Sequence, residues 1–283
     1  MFKIETMNGH ERMSTQNLLL AIEEAVRNGE TEFEVAASGQ HDIGGPLWNP
    51  EGKTLKFHVT NAGQRVGSMC LPNTEIVVEG ATSADVGWLN AGGLITVKGD
   101  AGDTAGHCSA GGKIYIGGRA GTRSGSLMKH DPLYEEPELW ILKNTGSFSF
   151  EFMGGGRAIV CGYDSEQFAS VLGERPCVGM VGGVVYVRGP LSGYPADLKY
   201  LDLEGGNAFE FHIRQGTDSV NSHTETDHVM LRPGKPLDSG GIENMQYRMV
   251  AYGVFDPGGI LLEHPDLSAG EIIHRRILGD TQM

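Results

Sequence analysis

Short segments of alternating apolar and polar residues recur along the middle of the chain. Five of them, EIVVE, LITVK, KIYIG, RAIVC and VVYVR, carry aliphatic or small residues at their second and fourth positions. A period of two predicts a β-strand with one buried face. We expect the buried pairs to be Ile76/Val78, Ile95/Val97, Ile114/Ile116, Ala158/Val160 and Val185/Val187.

Glycines recur around these strands at a fixed interval. The chain has 43 glycines in 283 residues, about twice the usual frequency of roughly 7%. A spacing of 19 residues relates Gly80, Gly99 and Gly118, and also Gly87, Gly106 and Gly125. Glycine adopts the positive φ angles of tight corners without steric cost. The glycines that we assign to corners are Gly80, Gly87, Gly92, Gly93, Gly99, Gly102, Gly106, Gly111, Gly112, Gly118, Gly121, Gly125, Gly155, Gly156, Gly162, Gly182, Gly183 and Gly189.

The short interval between strands decides how they associate. Parallel strands of an open sheet need crossovers of a dozen or more residues, usually helical, and no helical pattern separates these segments. Such strands coil into a parallel β-helix, with equivalent positions about 4.8 Å apart. The corner Gly99-x-x-Gly102-x-x-x-Gly106 breaks the six-residue grid of left-handed β-helices. The predicted fold is all-β, a right-handed parallel β-helix (solenoid) with an N-terminal α/β cap and a C-terminal extension.

The N-terminal region, residues 1–52, is predicted to cap the solenoid. An amphipathic pattern indicates a helix over residues 15–28, with Ser14 as its N-cap and Gly29 as its stop. The sequence TEFEV then predicts a short strand over residues 31–35. Because an open solenoid end exposes apolar core and unpaired strand edges, a terminal cap of this kind is expected.

The β-helix itself is assigned to residues 53–190. Within it, segment 129–149 carries prolines and an acidic cluster, and we expect it to bulge from one corner. Residues 191–283 are predicted to pack on the solenoid or to cap its far end. Strands are expected there over residues 209–215 and 245–255.

Composition narrows the location and the partners. No apolar run approaches the roughly 20 residues of a membrane span, and residues 1–14 lack the apolar stretch of a secretory signal. The cytoplasm is therefore the expected compartment. A net charge of −14 disfavours nucleic acid and anionic lipid as partners. The cysteines form no metal or iron–sulfur spacing and are expected to be buried thiols without disulfides: Cys70, Cys108, Cys161 and Cys177.

Two features could indicate a phosphate-binding loop and a catalytic histidine, but each has a structural explanation. The corner from Gly99 to Gly106 resembles a phosphate-binding loop, but no helix follows it and the same glycines recur in each turn. His107 lies one turn beyond Trp88 at an equivalent position, where stacking within the ladder explains it without catalysis. We therefore assign no catalytic and no cofactor-binding residue to this chain.

The stretch NSHTETDH offers nitrogen and oxygen ligands of the kind that zinc accepts, on His223, Glu225, Asp227 and His228. A solvated polar loop explains the same residues, because ligand spacing within a loop is weakly informative. We predict no metal site.

One surface feature points to partners. The middle residues of the five strands face outward and stack as a ridge that is more apolar than a solvated face requires. This candidate interface, called the strand ridge below, comprises Val77, Thr96, Tyr115, Ile159 and Tyr186. Either another subunit docks on the strand ridge or the chain's own tail covers it.

These motifs resemble the Gly-rich (GXGXG) β-helix domain that closes the large subunit of glutamate synthase and that also occurs as a separate polypeptide in some archaeal and bacterial enzymes. The resemblance covers roughly residues 60–190. Its motifs are Gly99-x-x-Gly102-x-x-x-Gly106, Gly118-Arg119-Ala120-Gly121 and Phe152-Met153-Gly154-Gly155-Gly156. It implies a non-catalytic scaffold in a hetero-oligomeric oxidoreductase complex of glutamate biosynthesis and nitrogen metabolism.

The same resemblance implies that partner chains carry the chemistry. One partner is a glutaminase-type amidotransferase with an N-terminal cysteine, and the other is a synthase subunit with FMN and an iron–sulfur cluster. Here residue 2 is Phe and no cysteine cluster exists. The Gly-rich subunit of formylmethanofuran dehydrogenase or of a formyltransferase/hydrolase complex is an alternative, because it has the same repeat. A stand-alone β-helix enzyme, such as a carbonic anhydrase or an acyltransferase, is a third interpretation.

Overall fold

The computed structural model describes residues 1–49, 51–163, 165, 167–168, 170–178, 180 and 182–187, and the backbone of five later strands. The first elements are β1 (Phe2–Glu5), β2 (Met7–Asn8), β3 (Glu11–Arg12), α1 (Thr15–Arg27) and β4 (Glu32–Ala36). The middle of the chain forms β5 (Leu55–Thr60), β6 (Thr74–Glu79), β7 (Ala91–Val97), β8 (Gly111–Ile116), β9 (Glu138–Ile141), β10 (Gly154–Val160) and β11 (Gly182–Val187). The later strands are β12 (Asp202–Leu203), β13 (Gly206–Asn207), β14 (Phe209–Arg214), β15 (His228–Leu231) and β16 (Gln246–Ala251).

One large sheet dominates the molecule. Its twelve strands follow the order β1-β4-β5-β6-β7-β8-β9-β10-β11-β16-β14-β15. Every pairing from β1 to β16 is parallel, and β14 and β15 are then added antiparallel. The expectation of a mostly β chain with parallel strands is confirmed.

The interior is built from layers of equivalent residues on successive strands. One layer runs through Phe57, Ile76, Ile95, Ile114, Leu139, Ala158 and Val185, which are aligned in the strand register. All of them are at most 1% exposed. A second layer contains Val78, Val97, Ile116 and Val160 and is equally buried. The predicted inward pairs are thus confirmed, except that the side chain of Val187 lies outside the described residues.

The bends between strands also stack on one another. Backbone N–H groups of one bend donate to carbonyls of the next, for example from Asp85 to Asp103 at 2.9 Å and from Thr104 to Thr122 at 2.7 Å. The pattern continues from Arg123 to Ser147 at 2.9 Å. Because both strands and bends are hydrogen-bonded between successive repeats, the backbone polar groups of the connections are satisfied without helices.

Glycine is needed for two different reasons. At Gly87 the φ angle is +64°, and a Cβ would lie 2.3 Å from Ile114 Cδ1. At Gly121 the φ angle is not positive, but a Cβ would lie 2.6 Å from the Asp103 backbone nitrogen one bend earlier. Close stacking, rather than a positive φ, is therefore the reason for glycine at positions of this second kind. The Gly-Gly pairs at 92–93, 111–112, 155–156 and 182–183 lie inside the starts of β7, β8, β10 and β11, not at corners.

The prediction that segment 129–149 bulges as a whole from the repeat is wrong. Strand β9 lies within it and pairs in register with β8 on one side and β10 on the other. Its sequence, ELWI, lacks the glycine pair found in β7, β8, β10 and β11, and Pro137 precedes it. Strands β8 and β10 are consequently separated by a full strand.

The terminal predictions hold for their main elements. Helix α1 begins after Ser14, whose Oγ accepts a hydrogen bond from the Asn17 N–H at 3.1 Å, and Gly29 follows with φ +90°. Strand β4 confirms the strand at 31–35, and it joins the same sheet as β5. Strands β14 and β16 confirm the two strands expected in 191–283. Strands β12, β13 and β15 also lie in that region, and its remaining residues are outside the described part of the chain.

In the part of the chain that the structure describes, helix α1 is too short and too polar to cross a bilayer, and no other helix could do so.

Candidate functional site on the stacked bends

The stacked bends form three columns of side chains, which together we call the bend face. The outer column consists of Asp42, Arg65, Asp85, Thr104, Arg123, Phe148 and Arg175. Three residues after the five members from Arg65 to Phe148 lies the middle column, which consists of Ser68, Trp88, His107, Ser126 and Glu151. The next residues form the apolar column, which consists of Met69, Leu89, Cys108, Leu127 and Phe152.

A repeated turn places these columns. The N–H of the middle-column residue donates to the carbonyl of the outer-column residue, as from His107 to Thr104 at 3.1 Å and from Ser126 to Arg123 at 3.2 Å. The N–H of Cys108 then donates to the carbonyl of Ser126 in the following bend at 3.0 Å. Outer-column and apolar-column residues both have positive φ, at 60° for Thr104 and 56° for Cys108. Each bend therefore turns by alternating left-handed residues with ordinary ones.

The first bends are joined by an ion pair. Arg65 donates from Nε to Asp42 Oδ1 at 2.8 Å and from a terminal nitrogen to Oδ2 at 2.9 Å, and Ser68 Oγ donates to Oδ1 at 3.0 Å. Burial alone would raise the pKa of Asp42, but the hydrogen bonds from Arg65 and Ser68 and the charge of Arg65 lower it overall. This carboxylate therefore stays ionised and links two bends.

Later bends are joined through Asp85, Thr104, His107 and Ser126. Thr104 Oγ1 donates to Asp85 Oδ1 at 2.5 Å, and His107 Nδ1 lies 2.7 Å from Ser126 Oγ. Burial lowers the pKa of His107; Asp85 opposes this shift and Arg123 reinforces it. The imidazole is thus held in its neutral form near neutral pH.

The last bends use a cation and an aromatic ring. Arg123 Nε donates to Glu151 Oε2 at 3.0 Å. The guanidinium carbon of Arg123 lies 5.4 Å from the centre of the Phe148 ring, and that of Arg175 lies 5.5 Å from it. These distances are within the range of a cation–π contact. Across the bend face, polar side chains therefore connect one bend to the next.

The His107–Ser126 pair has the residue types of a nucleophile and its base but not the accessibility. Ser126 is only 2% exposed, so a substrate carbonyl cannot reach its Oγ in the described arrangement. Trp88 and His107 do occupy the same position of successive bends, as expected. The pair acts as a hydrogen-bonded link between bends.

The corner glycines do not offer the free amides of a phosphate-binding loop. The N–H groups of Gly99, Gly102 and Gly106 donate to the carbonyls of Gly80, Ser83 and Val86 at 2.9, 3.2 and 2.7 Å. The nearby carboxylates of Asp100 and Asp103 accept the backbone N–H groups of Arg119 and Thr122, each at 2.8 Å. Both observations oppose anion binding, because the donors are taken and the surface is acidic.

The proposed zinc ligands His223, Glu225 and Asp227 lie outside the described residues, and His228 begins β15. Among the residues whose placement is described, no three His, Cys, Asp or Glu side chains are grouped to hold a metal ion.

The four cysteines, all among the described residues, form no disulfide. Burial raises the pKa of the Cys70 thiol to about 12, and burial also raises that of Cys108. Cys70, Cys161 and Cys177 are buried as expected, whereas Cys108 is half-buried in the apolar column.

The strand ridge changes character along the sheet. Val77 and Thr96 are half-buried, whereas Tyr115 is 8% and Ile159 1% exposed. The side chain of Tyr186 lies outside the described residues. This burial within a single chain favours cover by the chain itself over docking of another subunit on the later strands.

Sequence reasoning missed two features of the surface. Trp140, on the unpredicted strand β9, lies between Tyr115 and Ile159 in the strand ridge and is 2% exposed. The apolar column was missed entirely, although Leu89, Cys108 and Leu127 follow the 19-residue spacing of the glycines. That spacing, applied to apolar residues in the bends as well as to glycines, is the signal that could have found it.

Comparison with known families places the chain. The sequence model of the GXGXG motif family matches residues 48–204, more than half of the 283 residues. Searches of curated proteins and of solved structures each return no significant match. The matched region contains the glycine-bearing strands and the stacked bends from Arg65 onward, and the chain therefore belongs to the GXGXG motif family.

Proposed function

We propose that this chain is a non-catalytic scaffold subunit of a glutamate synthase-like complex and that it is wound as a right-handed parallel β-helix. The observation that carries the proposal is the stacking of both strands and bends over the region that matches the GXGXG motif family. The corner spacing from Gly99 to Gly106 supports the right-handed form.

Rigidity supports a scaffold role. Residue types that are often catalytic in other proteins form side-chain hydrogen bonds between successive repeats here. The pairs are Asp42–Arg65, His107–Ser126 and Arg123–Glu151. A solenoid held in this way gives a rod of fixed length, because each repeat contacts only its neighbours. Such a rod suits an enzyme in which ammonia released at one site must reach a second site before it escapes.

The partners follow from the proposed complex. A glutaminase-type amidotransferase chain would release ammonia from glutamine, and a synthase chain with FMN and an iron–sulfur cluster would use it. Both cofactors belong to the synthase partner in this proposal. Their assembly would take place in the cytoplasm.

Co-expression tests the proposal. The full chain is produced with a glutaminase-type chain that begins Met-Cys and with an FMN/iron–sulfur synthase chain from the same genome, and the purified material is analysed by native mass spectrometry. We expect one hetero-oligomer that transfers the amide nitrogen of glutamine to a keto acid when an electron donor is supplied, while the chain alone shows neither glutaminase activity nor flavin absorbance. Assembly with molybdenum- or tungsten-enzyme subunits, or with a formyltransferase, would replace this proposal with the formyl-transferring complex.

A further inference from the structure

Three of the five side chains of the apolar column are exposed to solvent. Met69 is 39%, Leu127 46% and Phe152 51% exposed. Leu89 and Cys108, which lie between them in the column, are half-buried. A contiguous apolar stripe of this kind on a protein surface often marks an interaction site.

These residues also adopt an unfavourable backbone conformation. All five have positive φ, between 52° and 56°, a region in which bulky side chains are rare and glycine, asparagine and aspartate are common. The outer column shows that the fold accepts such residues, because Asp42 and Asp85 occupy its left-handed positions. Large apolar side chains in the apolar column therefore combine backbone strain with exposure, and strain of this kind is concentrated at functional sites.

The spacing of the column suits a helix. Neighbouring strands of a sheet are about 4.8 Å apart, so five successive bends span roughly 19 Å. The pitch of an α-helix is about 5.4 Å, and roughly 13 residues cover the same length. A helix laid along the column would place one apolar residue per turn beside each bend.

Charge around the column indicates the polar face of that helix. Arg123, Lys129 and Arg175 are exposed beside its later half, in a chain with a net charge of −14. Glu151 is paired with Arg123 and offsets its charge. Among the described residues of these bends, Lys129 and Arg175 then outnumber the exposed carboxylate of Glu174. The local excess of positive charge favours a partner that carries carboxylates.

We propose that the apolar column, flanked by Arg123, Lys129 and Arg175, docks an amphipathic acidic helix of a partner subunit. The identity of that partner as a member of the enzyme complex rests on the proposed function. The chemistry of the helix, with apolar residues at i, i+4 and i+7 and carboxylates at one end, rests on the bend face alone.

A peptide probe tests the surface directly. A fluorescein-labelled, hydrocarbon-stapled helix of about 14 residues, with leucines on one face and glutamates flanking them, is titrated with the full chain, beside the same helix with lysines for glutamates. We expect the acidic helix to bind about tenfold more tightly than the lysine helix, and Leu127→Ser with Phe152→Ser to weaken its binding about tenfold. Leu133→Ser is the matched control, because Leu133 is 84% exposed and lies outside the column.

The outcomes separate this inference from the proposed function. Equal binding of the two helices, or unchanged binding by the double serine variant, would overturn the inference. Concentration-dependent dimerisation that the double variant abolishes would also overturn it, because a second copy of the chain would then be the occupant. If the double variant assembles with the glutaminase and synthase chains as well as wild type does, the inference fails and the proposed function stands. If the helix binds as expected but wild type assembles with neither chain, the proposed function fails and the docking surface stands.

Discussion

Outward-pointing apolar side chains become buried toward the later strands on the outer surface of the sheet, here called the sheet face, but stay exposed on the bend face. On the sheet face, cross-strand ion pairs such as Lys98–Glu79 at 2.7 Å flank the strand ridge. Toward the later strands the chain itself buries the ridge, so that Trp140 is 2% exposed. On the bend face, Leu127 and Phe152 lie in the bends before and after β9 and remain about half exposed.

The difference shows that an outward position does not by itself indicate an interface. Apolar residues on the sheet face contribute to the stability of the chain, because their surface is removed from water within it. Apolar residues on the bend face gain little from folding and carry the cost of a left-handed backbone. Stability and binding measurements should therefore respond to the two faces in different ways.

The largest expected effect is on the sheet face. Trp140→Ala should lower the free energy of unfolding by about 4 kcal/mol, because it removes a fully buried ring and leaves a cavity beside Tyr115. Leu127→Ala on the bend face should change it by no more than about 0.5 kcal/mol. Urea unfolding followed by circular dichroism measures both variants. Similar losses for the two variants would remove the distinction between the faces.

A second prediction concerns the glycines that allow the bends to stack. Gly121→Ala should destabilise the chain by about 2–3 kcal/mol, because the new Cβ would lie against the backbone of the preceding bend. Gly80→Ala should cost only about 1 kcal/mol, because Gly80 has φ +93° but no atom within 4 Å of a Cβ. Thermal unfolding of the two variants compares them. If the order is reversed, backbone φ rather than close stacking is the main reason for glycine in the bends.

The third prediction is a gain in stability, whereas the first two are losses. Leu127→Gly should raise the free energy of unfolding by about 0.5 kcal/mol, since glycine relieves the left-handed backbone while the lost side chain was exposed. The same variant should bind the acidic helix more weakly. Urea unfolding and fluorescence anisotropy on one preparation measure both quantities. A loss of stability would mean that Leu127 contributes to folding, and the argument from strain would fail.

The regular repeat could be predicted from the sequence because its signals are local. Ile95 and Ile114 are the second residues of alternating segments and recur after 19 residues, so their burial follows from period and spacing. Strand β9 could not be predicted in the same way. Glu138 pairs with Lys113 and Arg157 across the register, which is a long-range property that the segment ELWI does not reveal.

The candidate site was less predictable because bend residues do not follow the period of two. In the sequence Leu127-Met128, the leucine is exposed and the methionine is buried, and the two side chains have similar hydrophobicity. Their difference arises from the positive φ at Leu127, which turns its side chain away from the core. The burial of Tyr115 and Ile159 likewise depends on tertiary contacts and not on the residue pattern of their own strands.

The smallest expected effect is on the bend face and concerns the pH dependence that buried His107 gives to the stability of the chain. The pKa of His107 is lowered in the folded chain, chiefly by burial, with Asp85 raising it and Arg123 lowering it. The unfolded chain therefore binds a proton more readily, so this contribution to stability is complete above the ordinary pKa of about 6.5 and is lost as pH falls below it. Wild type should lose more stability between pH 7.5 and pH 5.5 than His107→Gln, because glutamine can keep a hydrogen bond to Ser126 but cannot titrate. Comparing the difference between the two proteins at each pH cancels the other histidines. Equal pH dependence of unfolding in both would show that burial beside Ser126 does not favour the neutral form of His107.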